Sequence, residues 1–258
     1  MSAILLSITN GVATITLNRP EKFNAFNRAM ALQLQQVLDN CGADNAVRAL
    51  FITGNGKAFC AGQDLSELTG ENAPGFEVIL AEHYNPIVTK IRSLQKPVVC
   101  AVNGVAAGAG ANIALACDIV VATATASFIQ AFSKIGLIPD SGGTYTLPRL
   151  IGMQKATALM MLGDKITATD AEKMGMIYKV FTDEEFGEAA MQIAITLANM
   201  PTKGLALTKM ALNQSLQNTW QQQLQLEDAL QYQAAHTADY AEGVAAFMEK
   251  RTPIFKGI

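Results

Sequence analysis

Three short segments of this chain carry residues whose types and spacing could do chemistry. The most pointed is Gly136-Leu137-Ile138-Pro139-Asp140-Ser141-Gly142-Gly143-Thr144, where one acid stands between an apolar run and a glycine-rich turn. Desolvation there raises a carboxyl pKa toward the range useful for proton transfer. The plainer reading is that Asp140 caps the helix that follows, since Asp is a favoured cap. The second segment, Ala61-Gly62-Gln63-Asp64, falls where a strand ends and a helix should begin. Backbone N–H groups at such a point are unpaired and lie at the positive end of a helix dipole, so they can hold an oxyanion. An ordinary glycine turn capped by Asp64 explains the same residues. The third is Gly104-Val105-Ala106-Ala107-Gly108-Ala109-Gly110-Ala111. It has no reactive side chain, but it offers close backbone approach and a further set of free N–H groups. Tight helix packing is its alternative reading. It is not a dinucleotide fingerprint, because the third glycine of that motif would fall at Ile113.

These segments need elements to hold them. Residues 4–8 and 12–18 read as strands joined at Asn10-Gly11, a tight-hairpin signal. Residues 27–41 read as an amphipathic helix with Gly42 as its stop, and 48–53 as a strand. Asp64 with Glu67 predicts a capping box and a helix start. Residues 76–93 and 106–117 read as helices, and 97–103, 119–123 and 127–132 as strands. The recurring strand-turn-helix register predicts an α/β class. Helices are expected at 153–162, 168–174 and 184–199, with a strand at 177–181, and everything from Pro201 onward reads as helical. The expected division is an α/β core over 1–200 and a helical oligomerisation module over 201–258, the glutamine-rich stretch 219–236 suiting a subunit contact.

The whole chain narrows the function classes. Its 258 residues are enough for a sizeable core. Charged residues are only 16%, against about 25% in ordinary soluble proteins, which predicts surface buried between subunits. Net charge is −3 with no basic block, which argues against a nucleic-acid surface. Cys41, Cys60, Cys100 and Cys117 are scattered, and His83 and His236 are the only histidines, so no zinc cluster is expected. The start MSAILLSITNG has no basic leader, and the reading is a cytoplasmic protein. Residues 97–117 carry no charge and are long enough to span a bilayer. Pro97, Asn103, Asn112 and the intervening glycines favour a buried strand, turn and helix instead.

Taken together and in this order, the motifs resemble the crotonase superfamily of enoyl-CoA hydratases and isomerases. The likeness runs from Asn18-Arg19-Pro20-Glu21-Lys22 through Phe59-Cys60-Ala61-Gly62-Gln63-Asp64, Ala101-Val102-Asn103-Gly104 and Ser141-Gly142-Gly143-Thr144 to Ala245-Ala246-Phe247-Met248-Glu249-Lys250-Arg251. The segments AVNGVAAGAGA and AFSKIGLIPDSGGTYTLPR are most similar to the branch that turns ring-1,2-epoxyphenylacetyl-CoA into its oxepin. The resemblance implies a crotonase fold of repeated ββα turns forming a superhelix, assembled as a trimer or a dimer of trimers. It implies an oxyanion hole from the N–H groups of Gln63 and Ala109, worth about 2.7–4 kcal/mol per donor to the transition state. Lys22, Ala25, Ala61, Asp64, Leu65 and Phe132 are expected at the CoA and acyl group. Phe247 and Lys250 are expected to reach CoA from the C-terminal helices, in this subunit or a neighbour. CoA would arrive as part of the substrate, with no metal or other cofactor.

One departure sharpens this. Hydratases of the family use two glutamates to activate water, and the corresponding positions here are Asn112 and Phe132. Neither is a general base, so Asp140 is left as the catalytic carboxylate and isomerisation is favoured over hydration. A Δ3,Δ2-enoyl-CoA isomerase, a hydratase using Asp140 alone, and a non-catalytic acyl-CoA-binding protein remain as rivals. Residues 66–84 are expected to shape the acyl pocket, with His83 at the surface.

Overall fold

The computed structural model describes residues 2–69 and 73–258. The N-terminal hairpin forms as expected: β1 (Ile4–Thr9) and β2 (Val12–Leu17) pair antiparallel, and Asn10 and Gly11 take φ of 52° and 76°. The helix α1 (Arg28–Ala43) begins at the Asn27 cap and runs through Gly42, so that glycine is no stop. Then come β3 (Ala49–Gly54) and β4 (Ala58–Cys60), β5 (Val98–Val102) and β6 (Val105–Ala107), and β7 (Ile119–Thr123) and β8 (Ser127–Ile129). The last strands are β9 (Lys165–Thr167) and β10 (Lys179–Phe181).

From β3 onward each consecutive pair divides between two sheets. One has the order β1-β2-β3-β5-β7-β10, and the other the order β4-β6-β8-β9. All pairings are parallel except β1 with β2 and β8 with β9. The chain thus repeats a strand in the large sheet, a sharp turn, a strand in the small sheet and a helical crossover. This is the ββα superhelix that the motifs implied. The short strands β4, β6 and β9 were not legible, because three residues leave no period-2 signal. Residues 106–107 belong to β6, so the helix expected over 106–117 starts later, at α4 (Ala109–Leu115).

The helical stretch 76–93 is interrupted. Between α2 (Phe76–Ile79) and α3 (Asn85–Ser93) lies a π-helical turn, Leu80–Tyr84. The Gln35 side-chain amide donates to the Glu82 and His83 carbonyls at 2.6 and 3.3 Å. The wider turn directs both His83 and Tyr84 inward. After the third repeat come α5 (Gly143–Ile151), α6 (Met153–Leu162), α7 (Ala168–Lys173) and α8 (Phe186–Ala198). Ala190, Ala194 and Ala198 of α8, spaced by four, pack on Val12, Ala49, Phe51, Val99, Ala101 and Val121, covering one face of the large sheet. The larger core fills the space between the two sheets and α1.

Three helices follow, α9 (Thr202–Ser215), α10 (Trp220–Ala235) and α11 (Ala238–Glu249). The ion pair Lys209–Asp118, at 2.8 Å and with the lysine buried, ties α9 to the core. The C-terminal tail folds back, with Arg48 Nη1 donating to the Phe255 carbonyl and Asp239 accepting the Lys256 and Gly257 N–H groups. Among the described residues no helix is long and apolar enough to cross a membrane. The uncharged run 97–117 is β5, β6 and α4.

Candidate active site

The loop after β4 is pinned on one side and free on the other. Ala61 N–H donates to the Phe23 carbonyl at 3.0 Å, Phe26 N–H to Gly62 at 2.7 Å and Asp64 N–H to Phe26 at 2.8 Å. Gln63 lies between the last two contacts on an extended chain, so its own N–H faces away from Phe26. Ala109 is the first residue of α4 and its N–H has no helical acceptor. Neither amide donates a hydrogen bond among the described residues.

Glycines bring the two amides into one place. A Cβ on Gly110 would sit 2.5 Å from the Cys60 carbonyl oxygen, so α4 can rest on the end of β4 only without one. A Cβ on Gly62 (φ +92°) would lie 3.0 Å from the Ala107 oxygen and 3.5 Å from the Ala109 nitrogen. Gly108 takes φ of 53°, turning the chain from β6 into α4. Burial pushes the neighbouring Cys60 thiol up to about 12, so it is not a nucleophile at neutral pH.

A cavity of about 210 Å³ opens onto both loops. Ala61, Gly62, Gln63, Gly108 and Ala109 line one side of it, and among the described residues Asp140 is the one carboxylate that lines it. Phe76, Ile79, Tyr84, Phe132, Ile135 and Leu137 make the walls apolar. Asp140 does not cap a helix. Gly142 occupies the N-cap position of α5, and among the described residues the Asp140 carboxylate accepts one side-chain hydrogen bond, from Ser141 Oγ at 2.8 Å. Burial raises the Asp140 pKa, and the Ser141 hydroxyl opposes that rise. Tyr84 is fully buried, and its phenol donates to Gln63 Oε1 at 2.9 Å, which holds that side chain against the wall.

The other expected site residues divide. Ala61 and Leu65 line the cavity, and Phe132 forms part of its wall. Lys22 is exposed on the 3₁₀ turn Pro20–Lys22; it meets the site through the contacts Ala25 N–H to Lys22 and Ala61 N–H to Phe23. Ala25 is buried beneath them. Asp64 is committed elsewhere. Its carboxylate holds Arg19 Nη2 at 2.8 Å and the Ser66 N–H and hydroxyl at 3.1 and 2.6 Å. No capping box forms, because Asp64 N–H goes to Phe26 while Glu67 accepts from Arg28 N–H and Gln63 Nε2. The helix it was expected to start is only the 3₁₀ turn Leu65–Leu68.

Phe247, 81% exposed, and Lys250 are absent from this cavity. Phe247 instead borders an open hollow of about 420 Å³ between α9, α10, α11 and Phe255. His83 is not a surface residue. It is fully buried, with neither ring nitrogen hydrogen-bonded among the described residues, and burial lowers its pKa. Of the stretch 66–84, Leu68, Phe76, Ile79 and Tyr84 do line the cavity, while 70–72 lie outside the described residues. Lys134, Ile135 and Leu137 were missed; their neighbourhood to Asp140 in the chain was the available signal.

Known proteins resemble this chain over nearly its whole length. The chain is 48% identical over 261 residues to the 1,2-epoxyphenylacetyl-CoA isomerase of Escherichia coli (strain K12), spanning 100% of this chain and 99% of the relative. It is 39% identical to the trans-2-decenoyl-[acyl-carrier-protein] isomerase of Streptococcus mutans, with 98% of each chain covered. Its structure matches that of enoyl-CoA hydratase from Bacillus anthracis with a TM-score of 0.92 at 35% identity, covering 99% and 100% of the two chains. The model of the enoyl-CoA hydratase/isomerase family matches residues 7–258, and the chain belongs to that family.

Proposed function

We propose that this enzyme isomerises ring-1,2-epoxyphenylacetyl-CoA to its oxepin through an enolate, with Asp140 moving the proton. The observation that carries the reading is the pairing of one carboxylate with two undonated amides in one apolar cavity. Asp140 takes the proton from the carbon next to the thioester carbonyl. The electron pair moves onto the thioester oxygen, which the Gln63 and Ala109 N–H groups receive. The C–C bond shared by the epoxide and the six-membered ring breaks, its electron pair joining the ring π system to give the seven-membered oxepin. The enolate pair returns from oxygen as a C=C conjugated with the thioester, and Asp140 delivers the proton to a ring carbon. No water is consumed and composition is unchanged, as isomerisation requires.

The residues present do not support water activation. Asn112 is buried beneath the Asp140 turn with its amide bonded on both sides, and Phe132 presents a ring to the cavity. Aromatic walls from Phe76, Tyr84 and Phe132 suit a ring-bearing acyl group. The identity to the Escherichia coli isomerase supports the same substrate. CoA enters with the substrate along Lys22, Ala25, Ala61 and Leu65, and no other cofactor is invoked. Exposed Phe247 and Met248 support a homotrimer or a dimer of trimers in which Phe247 and Lys250 reach a neighbour's CoA. The four buried free cysteines suit a reducing cytoplasm.

The test is an assay of the purified enzyme on the epoxide, a 3-enoyl-CoA and a 2-enoyl-CoA, repeated with Asp140→Asn. Epoxide isomerisation should fall by about 10²–10⁴ in the variant. An unchanged rate would overturn the mechanism. Faster turnover of the 3-enoyl-CoA would make the enzyme a Δ3,Δ2-enoyl-CoA isomerase, and fast hydration of the 2-enoyl-CoA a hydratase.

A further inference from the structure

We propose that Asn112 and Gln130 are positioning residues for Asp140, acting as a two-amide clamp on its backbone. Gln130 Nε2 donates to Asn112 Oδ1 at 2.8 Å, and Asn112 Nδ2 donates to the Asp140 carbonyl at 2.8 Å. The orientation of both amides follows from the end of the chain. The Asp140 carbonyl is an acceptor only, so Asn112 must present its NH₂ there and its oxygen to Gln130, which must then present NH₂ in turn. Both amides are buried, at 1% and 3% exposure. Gly143 N–H also donates to the Asp140 carbonyl, at 2.8 Å, so that oxygen is held from two directions.

The fit beneath the turn is close. A Cβ on Gly143 would lie 2.3 Å from Asn112 Nδ2. Ser141, the residue after the clamped carbonyl, takes φ of 53°, in the left-handed region that non-glycine residues seldom hold. That conformation accompanies the contact of its hydroxyl with the Asp140 carboxylate. The clamp therefore fixes a peptide plane that would otherwise relax, and with it the direction of the carboxylate. A carboxylate at position 112 would face the Asp140 carbonyl with no proton to donate. An amide there does a different task from the glutamate of a hydratase: it holds the base and activates nothing.

This inference rests on Asp140 being the acid–base group, and a double-mutant cycle separates the two. Asn112→Asp keeps the side-chain shape and removes the donor. It should lower kcat for epoxide isomerisation by about 10- to 100-fold, as a misplaced catalytic group does, with KM within about threefold. In an Asp140→Asn background the same substitution should leave the residual rate unchanged within about twofold, because there is no base left to aim. Gln130→Met, one bond further away, should lower kcat in the same direction by a smaller factor, and it serves if Asn112→Asp does not fold. Equal losses in both backgrounds, a rise in KM alone, or an unchanged kcat in both folded variants would overturn the clamp. Full activity of Asp140→Asn by itself would instead overturn the role of Asp140.

Discussion

The Ser141 hydroxyl donates to Asp140 Oδ1 at 2.8 Å and is the one side-chain hydrogen bond the carboxylate receives among the described residues. Burial raises the carboxyl pKa and this hydrogen bond restrains it, so the pair sets the pH at which Asp140 becomes a base. Tyr84 and Lys134 also face the same cavity and would stay in place if Ser141 changed.

Ser141→Gly removes the hydroxyl while suiting a backbone φ of 53°. With the restraint gone, the Asp140 pKa rises further. The acid limb of the kcat/KM profile should move to higher pH, giving a several-fold loss in mildly acidic buffer and little change at alkaline pH. A uniform loss at every pH would show that the hydroxyl does not tune Asp140.

Asp140 should cost the folded state stability when ionised. Its folded pKa lies above the unfolded value, so the relative stability it leaves intact below the unfolded pKa is lost as pH rises through the folded pKa. Asp140→Asn should therefore raise Tm at neutral pH, by about 2–4 °C for each kcal/mol recovered, and the gain should vanish toward pH 4. Differential scanning calorimetry at both pH values checks this, and a lower Tm at neutral pH would contradict it.

Gly110→Ala places a methyl where the Cys60 carbonyl oxygen stands 2.5 Å away. The start of α4 must shift, moving the Ala109 N–H relative to that of Gln63. Complete loss of one donor lowers kcat by about 10²–10³, which is the upper limit expected here. The acid limb of the pH profile should not move, since Asp140 is untouched. Wild-type kcat in a folded variant would remove Ala109 from the proposed oxyanion hole.

Asp64 acts on stability. Hydrogen bonds from Ser66, then Arg19, hold its carboxyl below the usual range. Asp64→Asn removes the charge that faces the Arg19 guanidinium, whose side chain is 15% exposed and whose Nη1 still donates to the Ala25 carbonyl, at a cost of about 1–3 kcal/mol. Because the folded pKa is depressed, this contribution is present above about pH 4, the unfolded value, and is lost as pH falls through the folded pKa. Urea unfolding of both proteins should show a constant difference from neutral down to about pH 5 that closes in stronger acid. A difference that persists below that range would mean the carboxylate charge is not what stabilises the loop.

Much of the site was legible because its parts are contiguous in the chain. Asn10-Gly11 determined a hairpin through local φ preferences alone. The glycine turns at 61–64 and 104–111 marked two places where N–H groups could be free, also a matter of residue type and of neighbours along the chain. The resemblance to the crotonase superfamily then singled out the Gln63 and Ala109 amides and, through the missing acids at 112 and 132, Asp140. Only the tertiary structure decided what depends on residues far apart meeting. It committed Asp64 to Arg19, buried His83 through a π turn that no periodicity announces, and set Phe247 and Lys250 away from the cavity of their own chain. It also turned Asn112 from a missing glutamate into a donor on the Asp140 carbonyl. Burial and hydrogen-bond partners are properties of packing, and a sequence carries them only once the fold has chosen who the neighbours are.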